Sequence, residues 1–193
     1  SCDAHSMDLI RKGRDLPKNW SIEKALEDIK SDDAIVEAVQ YRPYEIKYTI
    51  YTGKSCGWLW RPRTATMDLM KSVYNNIALI STRIVQKGSE YNHVFVSSFL
   101  TDKGLLSSKD NAFVFPIYNI SSESGKTKKI SNFTEEFRAN FSSRINLTID
   151  EDKRDRDKYC SSLDILAYMY AILHSQAYRE RYREFLITEY PKI

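Results

Sequence analysis

Three short apolar runs in the middle of the chain constrain its fold most: Ile77-Ala-Leu-Ile-Ser81, His93-Val-Phe-Val-Ser97 and Ala112-Phe-Val-Phe-Pro-Ile-Tyr118. Each is too short for a helix and rich in aliphatic and aromatic residues, so each reads as a strand. Pro116 cannot donate to a ladder, which pushes its strand to an edge or a bulge. Upstream, Tyr41, Tyr44, Ile46, Tyr48 and Ile50 with their neighbours make Val39 to Tyr51 read as one half-buried strand. Thr52-Gly53 ends it, a loop runs through Gly57, and Asp102-Lys-Gly104 is a turn.

Helical spacing lies around these strands. Ser21 is a partial N-cap, with Lys24 where a capping-box acid would stand, and Ile22, Leu26 and Ile29 give a short amphipathic helix. Thr66 to Tyr74 reads as a second, with Met67, Met70 and Val73 on one face. Phe133, Phe137 and Phe141 recur every four residues. Ser161 with Asp164 resembles a capping box for a helix whose Leu163, Leu166, Tyr170 and Leu173 share a face, and Ser175 caps another. Ser121 to Ser131 reads as a loop, and Glu151 to Lys158 as a solvated charge run. The expected class is α+β: a small mixed β-sheet with flanking helices and a C-terminal helical pair. The expected organisation is a flexible lead-in over 1–18, an α+β domain over 19–160, and C-terminal helices over 161–193 that pack on it or on a partner.

The net charge of +3 is small, but its distribution is informative. Residues 41–109 carry 10 Lys/Arg against 4 Asp/Glu, whereas residues 1–40 carry 6 against 9. A local basic excess is the footprint of an anionic partner. It contains Tyr51-Thr-Gly-Lys-Ser-Cys-Gly-Trp-Leu-Trp-Arg-Pro-Arg63, which joins cations to aromatic rings. Cations neutralise phosphates, and aromatic faces stack on bases or sugars. Nucleic acid is therefore the first partner to consider. Cys2, Cys56 and Cys160 form no CxxC, and their odd number points to a reducing, cytoplasmic setting. No run of 18 apolar residues occurs, so no membrane partner is expected. The abrupt start suggests a piece cut from a longer protein.

Catalytic patterns are thin. Gly53-Lys54-Ser55 lacks the glycine that a P-loop places five residues earlier, where Tyr48 stands. Glu45 and Lys47 resemble half of a PD-(D/E)XK nuclease site, for which Asp32, Asp33 or Glu37 would be the second acid. The competing reading of Glu45 and Lys47 is an exposed ion pair, and it is favoured. His93 and His174 lie in apolar elements and read as packed core residues. Cys and His spacings give no metal site. No Pro-Pro or G-x-G supports a methyl-transfer site.

The order of several blocks is more specific. Tyr41-Arg-Pro-Tyr-Glu-Ile-Lys-Tyr48 resembles a YRPFDxRY string. It leads into Tyr51-Thr-Gly-Lys-Ser55 and Arg61-Pro-Arg63, then Tyr91-Asn-His-Val-Phe-Val96 and Phe113-Val-Phe-Pro-Ile-Tyr118. The tail is Tyr168-Met-Tyr-Ala-Ile-Leu-His-Ser175, with Tyr178-Arg-Glu-Arg-Tyr182 behind it. This series resembles the C-terminal specificity region of Type ISP and related Type IIG single-chain restriction–modification enzymes, over residues 17–193. One departure is Gln176, where a helix-starting Pro is usual.

The resemblance implies a target recognition domain for double-stranded DNA, attached to a methyltransferase domain of the same polypeptide that modifies adenine N6. Cofactors would be absent from this chain; S-adenosylmethionine, Mg²⁺ and ATP would serve the parent enzyme. Lys47, Lys54, Arg61 and Arg63 are the expected phosphate contacts, with Ser55 and Trp58 beside them. Base readers are expected outside the shared blocks, at Arg83, Gln86 and Lys87 and at Ser107, Lys109 and Asn111, because Arg and Lys pair with guanine and Asn and Gln with adenine. The other readings are a Mg²⁺-dependent nuclease built on Glu45 and Lys47, and a non-DNA interaction module.

Overall fold

The computed structural model describes residues 19–86, 90–123, 126–153 and 155–193. The first helix among the described residues, α1 (Ile22–Ile29), starts where Ser21 accepts the Lys24 N–H. The buried face is not the Ile22–Leu26 stripe, whose members are 46% and 50% exposed. Ala25 and Asp28 face inward instead. The reason is polar: Asp28 Oδ2 accepts the Thr52 hydroxyl at 2.9 Å and the Trp58 N–H at 2.7 Å, turning the helix toward that loop.

The stretch expected as one strand is a hairpin. β1 (Ile35–Arg42) and β2 (Glu45–Tyr51) pair antiparallel around a Pro43-Tyr44 turn. Tyr44 takes a left-handed φ of 65° there, and Gln40 Nε2 donates to the Arg42 carbonyl at 2.9 Å and across to the Glu45 carbonyl at 3.4 Å. Apolar and aromatic residues continue through the turn, so periodicity alone gave no break. One face buries Glu37, Val39, Thr49 and Tyr51; Val36 and Tyr48 on the other stay open. β5 (Leu100–Thr101) adds to β1 in parallel, so this first sheet is mixed.

The helix expected over Thr66–Tyr74 is three short turns. α2 (Thr64–Met67) runs into two 3₁₀ turns, Asp68–Met70 and Ser72–Tyr74, broken by the extended backbone of Lys71. Met67 and Met70 are buried, but Val73 is 77% exposed. The Ser72 N–H donates to the buried Glu37 carboxylate at 3.0 Å, which fixes the second turn on β1.

β3 (Ala78–Ser81), fully buried, is the centre of a second sheet, between β4 (Val94–Ser97) and β6 (Phe113–Pro116). Pro116 does lie on an edge strand. Ser121–Ser131 is not a loop. Tyr118–Glu123 (β7) and Lys126–Ser131 (β8) form a separate two-stranded ribbon. Serine and lysine content hid a strand that makes its bonds through backbone rather than core. α3 (Glu135–Ile145) is the helix that the phenylalanine recurrence suits, and the rings stack, with Phe133–Phe137 centroids at 4.8 Å and Phe137–Phe141 at 5.8 Å. β9 (Thr148–Ile149) and β10 (Tyr159–Cys160) make a short parallel pair.

α4 (Ser162–His174) has the full Ser161–Asp164 capping box. Its buried face is Ile165, Leu166 and Leu173, whereas Leu163 is 45% exposed. Glu151 is not solvated as part of the charge run: it accepts the Tyr118 hydroxyl at 3.0 Å and the Ser162 N–H at 3.1 Å. Ser175 caps α5 (Gln176–Arg181), and α6 (Arg183–Leu186) follows. Leu166, Leu173 and Leu186 pack with Leu79, Val85 and Val94. Each such side chain contributes about 1.5–3 kcal/mol of burial. A second cluster joins Val39 and Tyr51 to Met67, Met70 and Ala78, which ties the first sheet to the second. The fold is α+β.

Candidate nucleic-acid interface

Side chains alternate along β2, so Lys47, Thr49 and Tyr51 share the face that packs inward. At its lower end the loop after Gly57 crosses that face. The Trp58 indole N–H donates to the Thr49 hydroxyl at 3.1 Å, which seats the loop. The result is a cleft of about 370 Å³ lined by Thr49, Tyr51, Trp60, Arg61, Arg63 and Lys103, among others. Its floor is fixed, because the Tyr51 hydroxyl donates to Asp68 at 2.9 Å. Burial and the Asp68 carboxylate push the Tyr51 phenol well above the usual tyrosine range, so it stays a neutral donor.

The cations around this cleft differ in their freedom. Arg61 is exposed, lies over the Trp60 ring at 4.4 Å and has no acidic partner among the described residues. Lys103 is also exposed, and its ammonium makes no ion pair or hydrogen bond among the described residues. Arg63 is committed elsewhere. Its guanidinium donates to the Ala112 carbonyl at 3.3 Å and to the Thr101 carbonyl, from a left-handed φ of 55°. It braces β5 against the start of β6, although the residue itself is exposed. Lys47 lies 3.6 Å from the Tyr41 ring centroid and 3.3 Å from Glu45. That exposed pair is the bland reading of Glu45–Lys47. Glu37 is occupied by Ser72, and no three His, Cys, Asp or Glu side chains gather as a metal would need among the described residues.

The YRPFDxRY-like block gains a physical explanation. Arg42 lies 4.2 Å from the Tyr41 ring centroid and pairs with Asp102 at 3.1 Å. Asp102 also accepts the Gly104 N–H at 2.8 Å. The block therefore anchors the turn that carries Lys103. Lys103 was missed because Asp102-Lys-Gly104 read only as a turn.

The other expected residues scatter. Lys54 and Ser55 line a different groove with Asp28, where Lys54 pairs with Asp33 at 3.2 Å. Trp58 is half-buried and fixed by its hydrogen bonds to Asp28 and Thr49, and Trp60 is half-buried. Ser107 is a turn brace that accepts the Lys109 and Asp110 N–H groups at 3.1 and 3.2 Å, leaving Lys109 and Asn111 exposed. This turn joins the cleft through the Ala112 N–H, which donates to the Lys103 carbonyl at 2.8 Å. Arg83 and Gln86 are exposed, with Arg83 near Glu189 and Tyr190, and Lys87 lies outside the described residues.

The histidines divide. His93 is half-buried, 3.9 Å from Asp110, and burial lowers its pKa despite that acid. His174 is exposed rather than core: at the end of α4 its ring lies against Tyr170 of the same helix and beside Arg179. No helix among the described residues is long and apolar enough to cross a membrane.

Comparison with curated proteins and with solved structures gave no match. The model of the Type ISP C-terminal specificity domain matches residues 3–193. A specificity domain serves DNA target recognition in restriction–modification, and the cleft described above brings Arg61, Arg63 and Lys103 beside Trp60. The chain belongs to the Type ISP C-terminal specificity domain family.

Proposed function

We propose that this chain selects the double-stranded DNA target of a restriction–modification enzyme, using the cleft between β2 and the loop 57–63. The observation that carries this reading is Arg61: a stacked, exposed guanidinium without an acidic partner among the described residues, in a chain of the specificity family. Arg61 and Lys103 hold phosphates and set the register, which by itself carries no sequence information. Lys109 and Asn111, on the turn tied to Lys103, lie next to that grip and supply base contacts. A methyltransferase domain of the same polypeptide modifies adenine N6, and cutting belongs to other parts of the parent. S-adenosylmethionine, Mg²⁺ and ATP act there. The outer faces of α4 and α6, where Tyr168 is 60% and Phe185 67% exposed, offer the docking surface for that domain.

The test has two parts. Binding of the chain to duplex DNA should weaken steeply as salt rises, since each neutralised phosphate releases counterions. Grafting the chain onto the catalytic part of a relative should change the sequence that is methylated. A binding constant that ignores salt, together with an unchanged methylation site, would refute target recognition.

A further inference from the structure

We infer that the β7–β8 ribbon is a sequence-reading element that enters the DNA major groove, with Lys128 as its leading base contact. This rests on the DNA reading above and adds a second contact region that the cleft does not supply.

Beyond its base the ribbon gains little from packing. A two-stranded hairpin is marginal in water unless something covers one face. Here Thr127, Lys128, Lys129 and Ile130 are four consecutive exposed residues, and Lys128 to Ile130 line the rim of a cavity shared with Glu151, Asp152 and Asp164. Tyr118 and Ser131, at the base, are buried.

That base is heavily fixed. Asn76 Nδ2 donates to the Tyr118 carbonyl at 2.8 Å, and the Tyr118 hydroxyl donates to Glu151. Asn132 Nδ2 donates to the Pro116 carbonyl at 2.9 Å, and Ser162 bonds Ser131 at 2.7 Å. Halfway out, Lys129 donates to the Asn75 carbonyl at 2.7 Å and faces the Tyr118 ring. A rigid root holding a polar, open ribbon suits a part that must be presented to a partner.

The register sorts the faces. Tyr118, Ile120, Ser122, Thr127, Lys129 and Ser131 share the face whose inner end is buried. Asn119, Ser121, Lys128 and Ile130 share the other. Lys128 has no hydrogen-bond or ion-pair partner among the described residues, unlike Lys129. Opposite it stands Ser121, a second group able to bond a base edge. Six-residue strands span roughly 20 Å, and the B-DNA major groove, about 12 Å wide, admits a two-stranded ribbon. Lysines along an open edge also discourage pairing with another protein strand.

The experiment selects binders of the full chain from a pool of random-sequence duplexes, then maps guanine N7 protection from dimethyl sulfate on the selected duplex. Wild type should yield a consensus containing protected guanine. Lys128→Ala should lose preference at one or two positions by roughly tenfold, with those N7 atoms newly reactive. Lys128→Gln should shift the same position toward adenine, a change that a purely structural role would not produce. Both substitutions fall on an exposed side chain, and equal thermal midpoints verify folding. An unchanged consensus and unchanged N7 protection in both variants would overturn the ribbon's role, leaving the surface for a protein partner. If wild type binds no duplex at any salt, this inference and the DNA reading fall together.

Discussion

Asp28 accepts the backbone N–H of Trp58 at 2.7 Å, and through that bond the first helix positions the loop that presents Trp60 and Arg61. The same oxygen takes the Thr52 hydroxyl at 2.9 Å. Replacing Asp28 with Ala orphans both donors. Leaving buried donors unmatched costs about 1–3 kcal/mol each at most, so a drop of roughly 2 kcal/mol in unfolding free energy is expected. Asp28→Asn keeps one acceptor and should lose less. Urea denaturation measures both, and an Asp28→Ala midpoint equal to wild type would contradict the role given to this carboxylate.

Gly57 is held to a hydrogen atom by the same packing. A Cβ there would stand 2.2 Å from Asp28 Oδ2 and 3.0 Å from Asp28 Cβ. The Gly57 carbonyl is meanwhile fixed by the Trp20 indole N–H at 2.8 Å, so the backbone has little room to retreat. Gly57→Ala should destabilise by at least the roughly 1–3 kcal/mol of an overpacked core. In an Asp28→Ala background the same substitution should cost much less, because the colliding Oδ2 and Cγ are gone. A double-mutant cycle reads this coupling. Simple additivity would show that the clash is relieved some other way.

How much of this could be read from residues alone follows from which signals are local. Strand positions at Ile77–Ser81 and Phe113–Pro116 and the Ser161–Asp164 capping box are short-range patterns, and they were legible. The buried face of α1 was not, because Asp28 is turned inward by partners 24 and 30 residues away in sequence. Ser121–Ser131 reads as a loop because the backbone pairing of the ribbon needs no apolar alternation. In the cleft, Arg61 and Arg63 look alike in composition. Only the tertiary carbonyls of Thr101 and Ala112 separate a brace from a free cation.

That separation predicts opposite behaviour for the two arginines. Arg61→Ala removes one exposed cation and its stacking on Trp60. It should reduce the slope of log affinity against log salt for duplex DNA by about 1, with unfolding free energy unchanged within about 0.5 kcal/mol. Arg63→Ala removes charge-assisted bonds to two carbonyls and should lower stability by roughly 1.5–3 kcal/mol. Thermal melts and salt-titrated binding, run on both variants, check the pair. Equal loss of salt slope with equal stability in the two would erase the distinction.

Acid sensitivity has an identifiable contributor at the start of α4. The Asp164 carboxyl is held below the usual aspartate range first by the Ser161 backbone N–H, then by the Ser161 hydroxyl, with Arg156 adding to it. A group whose folded pKa is depressed contributes stability above its unfolded pKa, about 3.9 for aspartate, and loses it as pH falls through the folded value. Asp164 is nearly half exposed, so solvent screening keeps the contribution small. Asp164→Asn should cost roughly 0.3–1.5 kcal/mol at pH 6, the range for one helix-capping feature. The gap between wild type and Asp164→Asn should then narrow below about pH 4, because protonation of Asp164 removes the same advantage. Urea midpoints of both proteins between pH 6 and pH 2.5 test this. A gap that stays constant to the lowest pH would mean that the Asn side chain is disfavoured by shape rather than by lost charge.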